Sequence, residues 1–133
     1  MTAPSEVDRY LEALPDAQRA ALAVVRETLR RLLPDATEVM SNGLPTLIHY
    51  GPLLAYGAHA SNRALCSLHV FQPKLLATMR SAIAPHTVAG GSIHFAASDP
   101  PSEALLGRIA RDRARENEAA YVRSQQRNQP RRS

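Results

Sequence analysis

The chain has 133 residues, enough for one domain built around a single core and few for two domains of ordinary size. Its hydrophobic fraction of 44% and charged fraction of 21% are typical of a compact globular domain. Four of the 16 basic residues are arginines after residue 122, so residues 1–122 carry twelve bases and twelve acids. Because this body is neutral and lacks a basic face interleaved with aromatic residues, we expect no nucleic-acid partner.

Cysteine usage and the absence of targeting segments indicate a compartment. Cys66 is the single cysteine, which excludes an intrachain disulfide and a zinc site built from cysteines. A lone thiol suits a reducing environment. The first residues contain no basic segment followed by an apolar run, and no stretch of about eighteen apolar residues occurs. We therefore expect a cytoplasmic protein with no membrane partner.

Two amphipathic helices are predicted at the start of the chain. Ser5 and Asp8 have the spacing of a helix-capping pair, and apolar residues then recur at helical spacing until Pro15. Asp16 begins a second helix, whose inward stripe is formed by Leu22, Val25, Leu29 and Leu32 or Leu33. Pro34 ends this helix because its ring cannot continue the helical hydrogen bonds.

Short apolar runs alternate with turn residues between residues 37 and 71. We predict four strands near residues 37–41, 45–50, 53–59 and 64–70, separated by Asn42-Gly43, Gly51-Pro52 and Ser61-Asn62. Connections this short join antiparallel neighbours, so the four strands form a meander.

The remainder of the chain predicts helix, strand and helix. Pro73 begins a helix that runs to about Ile83, and Gly90-Gly91 precedes a fifth strand at residues 92–96. A long C-terminal helix follows. The sequence thus predicts one α+β domain over residues 1–122, in which an antiparallel sheet of about five strands packs with two N-terminal helices, one middle helix and a long C-terminal helix. Residues 123–133 are predicted to be a basic tail without regular structure.

Particular residues within these elements carry a family resemblance. They are Val7, Asp8, Tyr10 and Leu11, then Leu33-Pro34-Asp35-Ala36, Ser41-Asn42-Gly43-Leu44-Pro45-Thr46, Leu54-Ala55-Tyr56, Gly91-Ser92-Ile93-His94-Phe95 and Leu105 to Arg113. In this order they resemble the YdhG-like family, a bacterial domain of unknown function also numbered DUF1801. The resemblance covers about residues 5–115 of the chain.

The resemblance implies an α+β domain with helices packed on an antiparallel sheet. Some members of the family are described as frataxin-like intracellular iron chaperones, and most have no assigned activity. The family usually ends the fourth strand with an aromatic-rich run, whereas this chain has Ser67-Leu68-His69-Val70-Phe71. Ligand contacts made by those aromatic residues are therefore in doubt for this chain.

Hairpin geometry predicts a polar site on one face of the sheet. If the turn at Gly51-Pro52 pairs Tyr50 with Leu53, and the turn at Ser61-Asn62 pairs His59 with Ala64, alternate side chains of neighbouring strands lie abreast on one face. That face would carry His49, Tyr56, Ser67, His69 and His94. We therefore predict a non-enzymatic domain that binds a small ligand or a protein partner there, without a cofactor.

An alternative places a metal site at the first helix. Glu6, Asp8 and Glu12 supply hard oxygen ligands of the kind that labile iron prefers, which would suit a frataxin-like iron chaperone. Acids at the start of a helix are also expected from the helix dipole alone. Both interpretations therefore stay open at this point.

Enzyme chemistry has little support in the sequence. The serines lack a nucleophile-elbow context, and the glycines do not form a phosphate-binding pattern. Cys66 and His69 are three apart in a strand, so their side chains point to opposite faces. We expect no enzymatic activity. The meander must have edge strands, and an exposed edge or apolar helix face would allow a homodimer.

Overall fold

A computed structural model describes residues 5–128 of the chain. Its helices are α1 (Glu6–Glu12), α2 (Asp16–Leu32), α3 (Pro73–Thr78), α4 (Arg80–Ile83) and α5 (Glu103–Arg127). Its strands are β1 (Thr37–Ser41), β2 (Leu44–Ile48), β3 (Pro52–Ala58), β4 (Leu65–His69), β5 (Thr87–Ala89) and β6 (Ser92–Ala96). Within residues 5–128, no helix is both long and apolar enough to cross a membrane.

The strands form one antiparallel sheet in the order β1-β2-β3-β4-β6-β5. The first four strands are a meander, and β6 returns to pair with β4. The predicted α+β class and the meander plus a later strand are confirmed. The edge strand β5, which has three residues, was not predicted, and the single predicted middle helix is two helices, α3 and α4, separated at Met79.

Turn and cap residues have the roles that their types predict. The Ser5 hydroxyl accepts a hydrogen bond from the Asp8 N–H at 3.1 Å, and the Asp8 carboxylate accepts one from the Ser5 N–H at 2.9 Å. At the β1–β2 turn, Asn42 and Gly43 both have positive φ, 53° and 78°. Two consecutive left-handed residues make the tight hairpin that fixes the pairing of these strands.

The two faces of the sheet differ in side-chain size. The helices cover one face, here called the helix face, whose buried residues are Leu47, Leu54, Tyr56, Cys66, Leu68, Ile93 and Phe95. Alternate positions belong to the second face, here called the Ser–His face, which carries Thr46, Ala55, Gly57, Ser67, His69, Ser92 and His94. Larger apolar side chains lie on the helix face because burying them removes more apolar surface from water.

Gly57 is a point of close approach on the Ser–His face. A Cβ at this position would lie 2.4 Å from Leu44 Cδ2 and 2.8 Å from the Tyr10 hydroxyl. That hydroxyl accepts a hydrogen bond from the Ala58 N–H at 3.0 Å. Glycine at position 57 therefore lets the first helix attach to the end of β3.

Two side chains of α5 hold the end of the sheet. The Arg113 guanidinium, only 3% exposed, donates from Nε to Val70 O at 2.8 Å and from Nη2 to Pro52 O at 3.0 Å. One turn later, Asn117 Nδ2 lies 3.1 Å from the carbonyl oxygens of His49, Gly51 and Pro52.

The C-terminal part of the chain differs from the prediction of a tail without regular structure. Residues 123–127 continue α5, which ends at Arg127 with Asn128 as its cap. They stay helical because the Arg and Gln residues of this stretch have good helix propensity. The last part of the predicted tail, residues 129–133, lies outside the described residues.

Candidate functional site

The pairing of β3 with β4 decides which predicted site residues lie together. The predicted pairing of His59 with Ala64 would put Tyr56 opposite Ser67. In the structure Gly57 lies opposite Ser67, and Tyr56 lies opposite Leu68. The predicted register is therefore wrong by one residue. Because the side chains of a strand alternate, this shift moves Tyr56 to the helix face, where it is 0% exposed.

His49 is also separated from the other predicted residues. It follows β2, and its Nε2 atom lies 2.9 Å from Glu118 Oε1 on α5. It lines a small cavity of about 270 Å³ between the end of α2 and α5. The predicted pocket shared by His49, Tyr56 and His69 is therefore wrong, because His49 contacts α5 and Tyr56 is buried on the helix face.

The remaining predicted residues do come together. Ser67 lies opposite His94, and His69 lies opposite Ser92, on the neighbouring strands β4 and β6. Ser67 Oγ is 2.7 Å from His94 Nδ1, and Ser92 Oγ is 2.7 Å from His69 Nδ1. Serine and histidine thus alternate in a square of four side chains. Ser92 was not among the predicted site residues, although its position two residues before His94 on a strand indicates the same face.

The imidazoles of this square are poor bases. Burial lowers the pKa of His69, and the neighbouring His94 lowers it further. Burial likewise lowers the pKa of His94, with a second contribution from His59. The His59 and His94 rings meet edge to face, with centroids 5.1 Å apart. At neutral pH these side chains are therefore uncharged hydrogen-bonding groups.

One nitrogen of each imidazole stays available. His69 and His94 both use Nδ1 for a serine hydroxyl, and neither Nε2 forms a hydrogen bond with residues 5–128. The rings are half-buried, so they are held in place and still reach the surface. The serine hydroxyls fix the orientation of both rings, as an orienting hydrogen bond does for a ligand-binding histidine.

The acids of α1 are not assembled as a metal site. Asp8 accepts hydrogen bonds from the Ser5 N–H and from Arg26 Nη1 at 2.6 Å, and the bond from Arg26 is the main reason that its pKa falls to about 2. Glu6 and Glu12 are exposed. Among residues 5–128, no three His, Cys, Asp or Glu side chains are grouped so that they could hold a metal ion.

A polar network that the sequence did not predict joins α1, α2, β1 and β3. Arg26 binds Asp8 and also Glu38, with Nη2 2.8 Å from Glu38 Oε1. The Tyr56 hydroxyl donates to Glu38 Oε2 at 2.7 Å. Its pKa is raised by burial and by this hydrogen bond to a carboxylate. Glu38 and Met40 are two residues apart in β1, so their side chains lie on the same face of the sheet. Because Met40 is apolar, this spacing could have indicated that Glu38 points toward the helices.

Two candidate nucleophiles in this part of the molecule, Cys66 and Ser67, are buried. Cys66 is 0% exposed, and burial raises the pKa of its thiol to about 11. The Ser67 side chain is also buried, at 3% exposure. The square of serine and histidine is therefore suited to hydrogen bonding through its imidazoles.

The fold can be compared with known proteins. No family model matches the chain, and no curated protein matches it in sequence. Among solved structures, the crystal structure of YdhG from Bacillus subtilis, a protein of the DUF1801 family, matches with a TM-score of 0.68. The match covers 77% of this chain and 83% of that chain at 14% sequence identity. The chain therefore has the fold of a DUF1801 protein, which confirms the resemblance read from its sequence at the level of the fold.

Proposed function

We propose that this protein is a non-enzymatic domain that binds a small molecule carrying an oxyanion, such as a phosphate or a carboxylate, on the Ser–His face. The observation that carries the proposal is the pair of contacts at 2.7 Å in which each imidazole uses Nδ1 for a serine hydroxyl on the neighbouring strand. These contacts leave the Nε2 atoms of His69 and His94 available for a ligand. The proposal includes a reducing cytoplasm as its location, which suits the single thiol of Cys66.

The chemistry of the square favours an oxyanion. Among residues 5–128, the charge effects that lower the pKa values of His69 and His94 come from other histidines, and no carboxylate contributes to them. Protonated imidazoles repel one another, and a bound anion relieves that repulsion. An oxyanion would also accept hydrogen bonds from both Nε2 atoms, and bonds between charged partners are the stronger ones.

Proton linkage gives the pH dependence of binding. Without a ligand, the two imidazoles have pKa values below the usual value for histidine. An anion binds the protonated form better, so it raises both pKa values, and its affinity increases as pH falls below about 6.5. A ligand bound through neutral imidazoles would show no such increase.

The test is a titration with inorganic phosphate and with acetate, followed through the imidazole Cε1–H signals in NMR spectra. Saturable shifts at His69 and His94 are expected. His94→Asn should weaken binding at least tenfold, because a hydrogen bond to a charged group contributes about 1.5–3 kcal/mol. His49→Asn is the matched control, since His49 pairs with Glu118 away from this face. Equal shifts at every histidine, or none that saturate, would contradict the proposal.

A further inference from the structure

A cavity of about 770 Å³ lies on the other side of the molecule, between α1, α2 and the edge strand β1. Its volume is in the range of pockets that hold small molecules. The residues around it are Ser5, Glu6, Val7, Arg26, Arg30, Leu33, Pro34, Ala36, Glu38, Val39, Met40 and Leu47. None of these residues belongs to the square of Ser67, His69, Ser92 and His94.

One part of the cavity is apolar. Val7 and Leu47 belong to the hydrophobic core, with exposures of 3% and 1%. Leu33, Ala36 and Met40 are partly buried and pack against that core. These side chains come from a helix, a loop and two strands, so the apolar floor is fixed by the fold.

One arginine in the polar wall of the cavity, Arg26, already has its charge balanced by carboxylates of the protein. Arg26 is held between Asp8 at 2.6 Å and Glu38 at 2.8 Å, and Tyr56 supports Glu38 from inside the sheet. This network makes the wall rigid. It also balances the positive charge of Arg26 with two carboxylates, so this arginine attracts another anion less than an unpaired one does.

Arg30 lies one helical turn after Arg26 and lines the same cavity. It is exposed, and it forms no ion pair with residues 5–128. Its planar guanidinium can bind a carboxylate with two parallel hydrogen bonds. Glu6 also lines the cavity and is exposed, so its negative charge opposes an incoming anion.

We infer that this cavity binds an amphipathic carboxylate, with its carboxylate on Arg30 and its apolar chain over Val7, Leu33, Met40 and Leu47. The unpaired guanidinium beside an apolar floor selects this class of ligand over a neutral apolar one. The site is independent of the function proposed above, because the cavity and the square of Ser67, His69, Ser92 and His94 have no residue in common.

The test compares decanoate with decanol by isothermal titration calorimetry on the full chain. Decanoate should bind at least tenfold more tightly than decanol. Arg30→Gln should remove this preference and leave decanol binding unchanged, whereas Glu6→Gln should strengthen decanoate binding. Arg108→Gln, at an exposed position of α5 outside the cavity, is the matched control and should change neither affinity.

A second variant tests the location. Ala36→Leu adds side-chain volume to the cavity and should weaken both ligands together, with far-ultraviolet circular dichroism confirming that the variant is folded. The inference is overturned if decanoate does not bind, if decanol binds equally well, or if Arg30→Gln keeps the preference for decanoate. Unchanged binding in folded Ala36→Leu would place the ligand elsewhere and also overturn it.

Discussion

Replacing Arg113 with methionine should destabilise the fold more than any exposed arginine replacement on the same helix. The Arg113 guanidinium is buried, and Nε donates to Val70 O at 2.8 Å and to Leu53 O at 3.2 Å. Nη2 donates to Pro52 O at 3.0 Å. Methionine keeps a side chain of similar length but cannot donate to any of these carbonyl groups.

The expected loss follows from these bonds. A hydrogen bond to a charged group contributes about 1.5–3 kcal/mol, and the Leu53 and Val70 carbonyl groups add the cost of losing this donor, whereas Pro52 O keeps its contact with Asn117. Removing the buried charge of Arg113 offsets part of this loss, because a buried guanidinium is itself poorly hydrated. We therefore expect the free energy of unfolding to fall by about 3 kcal/mol, which lowers Tm by roughly 10 °C for a domain of this size.

Urea unfolding followed by circular dichroism measures the change. Arg111→Met is the matched control, because Arg111 is exposed on the same helix and the chemical change is identical. It should alter the unfolding free energy by no more than about 0.5 kcal/mol. Equal stability of the two variants would refute the argument, since it would mean that the carbonyl groups of Pro52, Leu53 and Val70 do not depend on Arg113.

Four further predictions follow from particular residues. Gly57→Ala should cost about 1–3 kcal/mol of unfolding free energy, because its methyl group would overlap two neighbouring side chains. Gly107→Ala, where the nearest atoms are 3.9 Å away, should stabilise α5 by up to about 1 kcal/mol in the same urea assay. Cys66 should resist iodoacetamide in the folded protein and react once urea unfolds it; rapid labelling of the folded form would show that the thiol is accessible. Folding lowers the pKa values of His69 and His94. The free energy of unfolding should therefore be highest above about pH 6.5 and decrease as pH falls below that value, because protonation of these imidazoles favours the unfolded chain. The His69→Asn, His94→Asn double variant should flatten that dependence, and an unchanged pH profile would contradict the assignment.

The local signals in the sequence were sufficient for most of the elements. Proline at position 34 ended α2, and Asn42-Gly43 formed the tight hairpin turn, because both effects depend on the backbone of a few residues. The edge strand β5 was missed for a related reason. Three residues are too few to show a period, and the strand exists because it pairs with β6.

The candidate site was only partly predictable. Ser67, His69 and His94 lie together as expected, since alternation along each strand fixes which residues share a face. The register between β3 and β4 depended on the conformation of the connecting loop, in which the His59 N–H bonds to Leu65 O. Residue size offered a better signal than turn type: Leu54 and Tyr56 alternate with Ala55 and Gly57.

The sequence by itself determined the class of fold, the order of its elements and the turn at Asn42-Gly43, because these depend on local backbone preferences and on hydrophobic periodicity. Only the tertiary structure decided which side chains meet. It placed Tyr56 against Glu38 and not beside His69, because the helix face gains more from burying a large ring than the other face does. It also held Asp8 against Arg26 and left Arg30 unpaired at a cavity, since residues distant in sequence are brought together only by packing.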